Sequence, residues 1–261
     1  MPKPIEIVYP RQRERFERRR KEREDRKLLD QFFDHPTLLA VGRLINDGAF
    51  DQLDFPIATG KEGGVFRATK GSERRAVKIY RIDNSSYRRL PPYALSELTA
   101  VASIRNFQGL IVAWTRREHT LLGRLTDAGV RVPRPFALRR NVLVMEYIGD
   151  DRGPAPRLRD AVIEDPDELY GALVREFRRM VVGARLVHGD LSPYNTLYFD
   201  RRPVVIDVGQ SVSVDHPEAP ALLRRDLDHF SAFLRRQGLA VEADEFYRAV
   251  GGPSSEATGA L

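Results

Sequence analysis

The chain has 261 residues, 42% of them hydrophobic, enough for one large domain or two small lobes with cores of their own. It contains no cysteine, which excludes disulfides, thiolate metal sites and a cysteine nucleophile, and no run approaches the roughly 20 apolar residues of a membrane span. The net charge of +6 is concentrated, because residues 11–27 hold ten Lys or Arg against five Asp or Glu and leave the remainder almost neutral.

The opening is polar and then strongly charged, unlike a secretory signal, so a soluble cytoplasmic protein with no membrane partner is expected. Residues 11–33 read as one helix ending in Leu28, Leu29, Phe32 and Phe33. Arg and Glu interleave along it at helical spacings, which suits a salt-bridged surface helix. The excess of positive charge also suits a polyanion such as RNA. A second helix is expected near Pro36–Asn46, closed by Gly48. Residues 55–82 then alternate as antiparallel strands, with turns at Gly60–Gly64 and at Lys70-Gly71-Ser72. Segment 83–107 is polar, contains Pro91 and Pro92, and has weak periodicity. It reads as a mobile loop with room for one helical turn.

Residues 108–128 are helical, with Leu110, Ile111, Trp114, Leu121, Leu122 and Leu125 on one face and Gly129 at the end. Two strands follow over 136–148, turning at Arg139-Arg140-Asn141. An amphipathic helix over 167–187 leads to His188. Thr196–Phe199 and Val204–Val208 form a hairpin around residues 200–203. Pro217–Gln237 is a helix with Asp215 near its N-cap, a last helix covers about 242–250, and the Gly/Ser-rich tail from 251 is expected to be disordered. The division is a basic helical extension over 1–53, a strand-rich lobe over 54–146, and a helical lobe over 147–250.

Chemistry concentrates in His188-Gly189-Asp190-Leu191-Ser192-Pro193-Tyr194-Asn195 and, twelve residues after Asn195, Asp207. Phosphoryl transfer from ATP needs a carboxylate to orient the attacking hydroxyl. It also needs an amide and a second carboxylate to hold magnesium against the phosphates. Asp190 fits the first role, and Asn195 and Asp207 are hard oxygen ligands for Mg2+. The structural alternative for Asp190, a turn aspartate beside glycine, leaves the spacing unexplained. Asp207 ends an apolar run, where an uncompensated charge would be expensive and a cation would relieve it.

Upstream, Lys78 lies inside the apolar strand Ala76-Val77-Lys78-Ile79-Tyr80 and needs anionic partners. Glu118 falls on the inward stripe of the 108–128 helix and is the candidate carboxylate. The alternative is that Lys78 snorkels and Glu118 pairs with Arg116 or Arg117. Gly60 and Lys61, in Thr59-Gly60-Lys61-Glu62-Gly63-Gly64, form a candidate phosphate-covering turn, though without a G-x-G-x-x-G or Walker A pattern. Backbone groups at Met145, Glu146 and Ile148 are candidates for adenine.

Together these segments resemble the RIO kinase family, particularly its first subfamily in an archaeal-length form. The resemblance runs from about residue 30 to 240. It rests also on Val132-Pro133-Arg134-Pro135, Gln210-Ser211-Val212, Asp215-His216-Pro217 and Arg225-Asp226. It implies an α+β, trimmed two-lobed protein-kinase-like fold, with an antiparallel N-lobe sheet and a helical C-lobe. It implies ATP and Mg2+ as cofactors, with Asp190 as proton acceptor, Lys78 on the phosphates, Asn195 and Asp207 on magnesium, and Asp207 also as the residue that forms an aspartyl-phosphate. Its expected partners are the pre-ribosomal small subunit and its rRNA. Three departures stand out: Gly63-Gly64 where the family usually has Ala-Asn, a poorly matched 83–107, and Gly189 in place of Ala. Between Asp207 and residue 217 there is no room for an activation loop, and Ala-Pro-Glu is missing. Ordinary peptide recognition should therefore be missing, and one alternative is an ATP-gated RNA- and protein-binding assembly factor with little turnover. Because His-Gly-Asp also occurs in small-molecule phosphotransferases resembling aminoglycoside and choline kinases, such an enzyme is the second. Tyr194 and Gln210-Ser211-Val212 argue against the second.

Overall fold

A computed structural model describes residues 32–82, 91–101, 104 and 106–252. The basic segment 11–27, and the helix expected around it up to residue 31, lie outside the described residues, as does the tail from 253. Helix α1 (His35–Asn46) begins where the Asp34 carboxylate accepts the Thr37 N–H at 2.9 Å. Strands β1 (Gln52–Thr59), β2 (Gly63–Lys70) and β3 (Glu73–Tyr80) follow, then helices α2 (Pro92–Val101) and α3 (Phe107–Asp127), and strands β4 (Pro135–Arg139) and β5 (Val142–Glu146). The helical part contains α4 (Pro166–Arg178), β6 (Leu186–Val187), β7 (Thr196–Phe199), β8 (Arg202–Val205), β9 (Val212–Ser213), α5 (Ala219–Arg236) and α6 (Ala243–Ala249).

Among these residues two compact units form. The first contains α1, the five strands β1 to β5 and the first part of α3, up to His119. Its sheet is antiparallel in the order β1-β2-β3-β5-β4. Successive side chains of a strand face opposite ways. Val77 and Ile79 of β3 therefore enter a core with Val41 and Leu44 of α1, Phe50, Phe66, Val142 and Val144, while Lys78 and Tyr80 face the other side. Gly63 is required where β2 meets β3: a Cβ there would lie 2.5 Å from the Ile79 carbonyl oxygen. At Gly64 a Cβ would press on the rings of Phe66 and Phe32, at 3.1 and 3.2 Å. Close packing thus explains the two glycines at this turn.

The second unit contains α2, residues 120–134 and everything from Ile148 onward. Helix α4 is capped by Asp165, which accepts the Glu168 N–H at 2.9 Å, and it buries Leu169, Ala172, Leu173 and Phe177. Phe177 packs on Phe230 of α5 and Phe246 of α6, with ring centroids 5.0 and 5.9 Å apart.

Several expectations change in detail. Where the sequence suggests a mobile loop over 83–107, the ten-residue α2 forms. Pro92 sits at its start, where the missing N–H costs nothing, and Tyr93, Ala94 and Leu98 are buried. The helix expected over 167–187 ends earlier, in one π turn at Arg179–Gly183, before β6. The hairpin β7–β8 turns on two residues, Asp200 and Arg201, both left-handed at φ 52° and 57°. Asp215 does not cap α5. It pairs with Arg185 at 2.6 Å, and Glu218 occupies the cap position without a side-chain bond.

Candidate active site

In the first unit Lys78 and Glu118 meet. The Lys78 ammonium lies 2.7 Å from Glu118 Oε1, with the carboxylate side chain 2% exposed and the lysine 12%. This is the pairing that an internal strand lysine required. Tyr80, two residues along the same strand face, donates its hydroxyl to Glu118 Oε2. Gly60 and Lys61 lie in the β1–β2 turn, closed by a bond from the Gly60 N–H to the Gly63 carbonyl at 2.9 Å. Met145 pairs with Ala76 and Glu146 with Arg75 across β5 and β3. In the second unit, Ile148 is buried, and its carbonyl accepts the Ala155 N–H at 3.0 Å. One of the backbone groups expected to face adenine is therefore engaged within the protein.

In the second unit the backbone of Ile206, the residue before Asp207, links Asn195 with His188, whose ring in turn accepts from Asp190. The Ile206 N–H donates to the Asn195 carbonyl at 3.1 Å, and its carbonyl accepts from His188 Nε2 at 3.0 Å. Because Nε2 faces a carbonyl it carries the hydrogen, which leaves Nδ1 to accept the Asp190 N–H at 3.3 Å. Burial pushes the His188 pKa down, so the neutral imidazole that satisfies both contacts is also the favoured form. The Asn195 amide donates to the Asp190 carbonyl and to Asp190 Oδ2, at 2.8 and 3.0 Å. That fixes which end of the amide is which, and its oxygen is left as the end suited to a cation. Asp207 takes a left-handed conformation, φ 59° and ψ 46°, uncommon for a residue other than glycine. Among the described residues no three carboxylates or imidazoles gather into a metal cage. Magnesium asks for less: one or two protein oxygens, with water and phosphate completing its octahedron. The Asn195 amide oxygen and the Asp207 carboxylate are of the kind that donor set requires.

The RIO domain model matches residues 64–246. The RIO-type serine/threonine-protein kinase Rio1 of Haloferax volcanii is 43% identical over 92% of this chain and 83% of its own. The chain belongs to the RIO domain family.

The Rio1 kinase of Methanocaldococcus jannaschii is 32% identical over 92% of this chain and 83% of its own, and the human kinase RIO1 is 35% identical over 88% and 42%. The chain thus spans most of the archaeal relatives and under half of the human one. Among solved structures, the Rio2 kinase of Chaetomium thermophilum in its ADP/Mg2+-phosphoaspartate complex superposes with a TM-score of 0.63 at 23% identity, covering 85% of this chain and 70% of that one. That likeness gives the fold, a protein-kinase-like α+β architecture.

Sequence reasoning assigned no role to the residues that hold the loop around Asp190 in place. Asp226 of α5 is fully buried, and its carboxylate accepts the Gly189 and Leu191 N–H groups at 2.9 and 3.1 Å. Burial raises its pKa to about 7, against the opposing pull of those two amides and of Arg225. Arg225 also donates to the Gly189 carbonyl. Tyr93 of α2 reaches the same carbonyl at 2.9 Å and Gln210 at 3.1 Å, and His229 Nδ1 lies 3.1 Å from the Leu191 carbonyl. One signal was available for Asp226: it shares the apolar stripe of Leu222, Leu223, Leu227 and Phe230 on α5.

Proposed function

We propose that this RIO-family chain is an ATP- and Mg2+-dependent serine/threonine kinase whose turnover includes ATP hydrolysis, acting in the cytoplasm on the maturing small ribosomal subunit. The observation that supports the catalytic part is the Asn195 amide, which donates to Asp190 at its carbonyl and at Oδ2, while the Asn195 carbonyl accepts from Ile206, the residue before Asp207. Asp190 accepts the proton of the attacking hydroxyl, Asn195 and Asp207 take magnesium, and Lys78, held by Glu118, takes the ATP phosphates. If the γ-phosphoryl is transferred to the Asp207 carboxylate, ADP leaves and water later cleaves the acyl phosphate, which amounts to ATPase turnover. The ribosomal part is supported by the basic segment 11–27 and by the family's resemblance.

The test is ATP turnover and protein phosphorylation by Asp190→Ala and Asp207→Ala, each checked for folding by thermal melting. Both should lose turnover. Asp207→Ala should also lose magnesium-dependent nucleotide affinity, whereas Asp190→Ala should keep it. A folded variant with near-normal turnover would refute the assignment.

A further inference from the structure

Glu118 accepts from two donors at once, and they come from one strand face. Lys78 and Tyr80 are two residues apart on β3, so both side chains leave the sheet on the same side. The Lys78 ammonium reaches Glu118 Oε1 at 2.7 Å, and the Tyr80 hydroxyl reaches Oε2. The ammonium also lies 4.9 Å from the Tyr80 ring centroid, within cation–π range. Tyr80 is 3% exposed and Glu118 2%, so water has little access to these groups. A carboxylate held at one oxygen can still swing about its last torsion; held at both, it cannot.

We propose that Tyr80 is a positioning residue for phosphoryl transfer, locking the Glu118 carboxylate so that the Lys78 ammonium stays on its line to the ATP phosphates. The proposal rests on the reading that Lys78 serves ATP. It also carries a consequence for regulation. Protein kinases commonly control the lysine–glutamate pair by moving the helix that bears the glutamate. Here the strand that supplies the lysine also grips the glutamate, so the pair is assembled before nucleotide arrives.

Tyr80→Phe keeps the ring and removes only the donor. Nucleotide affinity and kcat/KM would be measured on the full chain for Tyr80→Phe, Glu118→Ala, the double variant and Lys78→Ala, alongside thermal melting. A bond from a neutral donor to a charged acceptor supports an expected loss in kcat/KM of about ten- to a hundredfold for Tyr80→Phe. Because Tyr80 acts through Glu118, the double variant should match Glu118→Ala within about twofold. A merely structural tyrosine would lower the melting temperature and add its loss to that of Glu118→Ala. A near-normal Tyr80→Phe, or an additive double variant, overturns the lock while leaving the role of Lys78 intact. If Lys78→Ala leaves ATP affinity unchanged, the reading beneath fails and the lock fails with it. Should Tyr80→Phe not fold, 4-aminophenylalanine at position 80 carries the test. It retains a donor, so activity near normal supports the lock and a loss of about tenfold or more overturns it.

Discussion

Asp226→Asn separates what holds the catalytic loop from what stabilises the fold. The native carboxylate accepts two N–H groups, those of Gly189 and Leu191. An amide offers one oxygen, so one of these buried donors would face an NH2 group and lose its acceptor, at about 1–3 kcal/mol. Against that stands a penalty the wild type carries. Its folded pKa of about 7 lies above the ordinary value of 3.8 for an aspartate in water, with burial as the main cause. The sign follows from proton counting. Between those values the unfolded chain has released the proton and the folded chain keeps it, so stability falls as pH rises toward the folded pKa. At about 1.36 kcal/mol per pH unit, the wild type should lose roughly 3 kcal/mol relative to Asp226→Asn between about pH 5 and pH 8. Urea unfolding of both proteins at the two pH values measures this. Catalysis should behave differently: a loop displaced by even 1 Å loses on the order of a hundredfold in kcat, with no rescue at alkaline pH. Parallel stability–pH curves, or a variant with wild-type kcat, would refute the reasoning.

Lys78→Ala and Glu118→Ala should each lower kcat/KM strongly, and the double variant should be little worse than either, since the two groups act as one unit. A double loss equal to the sum of the single losses would contradict the 2.7 Å pair. Removing residues 1–24 deletes most of the basic segment and spares Leu28, Leu29, Phe32 and Phe33. RNA affinity should drop and its salt dependence flatten, because each lost phosphate contact releases roughly one fewer counterion, while ATP affinity should hardly change. Unchanged RNA affinity and salt slope would reduce that segment to a solvated surface.

What could be read from the sequence was chemistry that is local along the chain. Asp190 and Asn195 are five residues apart, and Asp207 ends an apolar run, so burial cost and spacing together pointed to a cation and a nucleotide. Glu118 could be matched to Lys78 across 40 residues because helical periodicity placed an acid among Ile111, Trp114, Leu121 and Leu125, where a charge needs a partner. The same logic applied to Asp226 on α5, but there the partners are main-chain N–H groups, and no residue type announces those. Tyr93 could not be read at all. It belongs to α2, where Ala94 and Leu98 share a face at i and i+4, but the prolines, serines and short length of the segment obscured that signal. Glu97 of that helix accepts the Ser213 N–H at 3.1 Å, close after Asp207 in the chain. The segment that reads as loop therefore supports the catalytic loop through Tyr93 and the chain beyond Asp207 through Glu97. Asp207 itself illustrates the remaining limit. Its identity was legible, but its left-handed backbone was not, because aspartate tolerates that conformation without requiring it. Asp190, Asn195 and Asp207 were visible as residue types at a spacing; the Ile206 backbone bonds and the Asp226 carboxylate that hold their neighbours became visible only once the chain was folded.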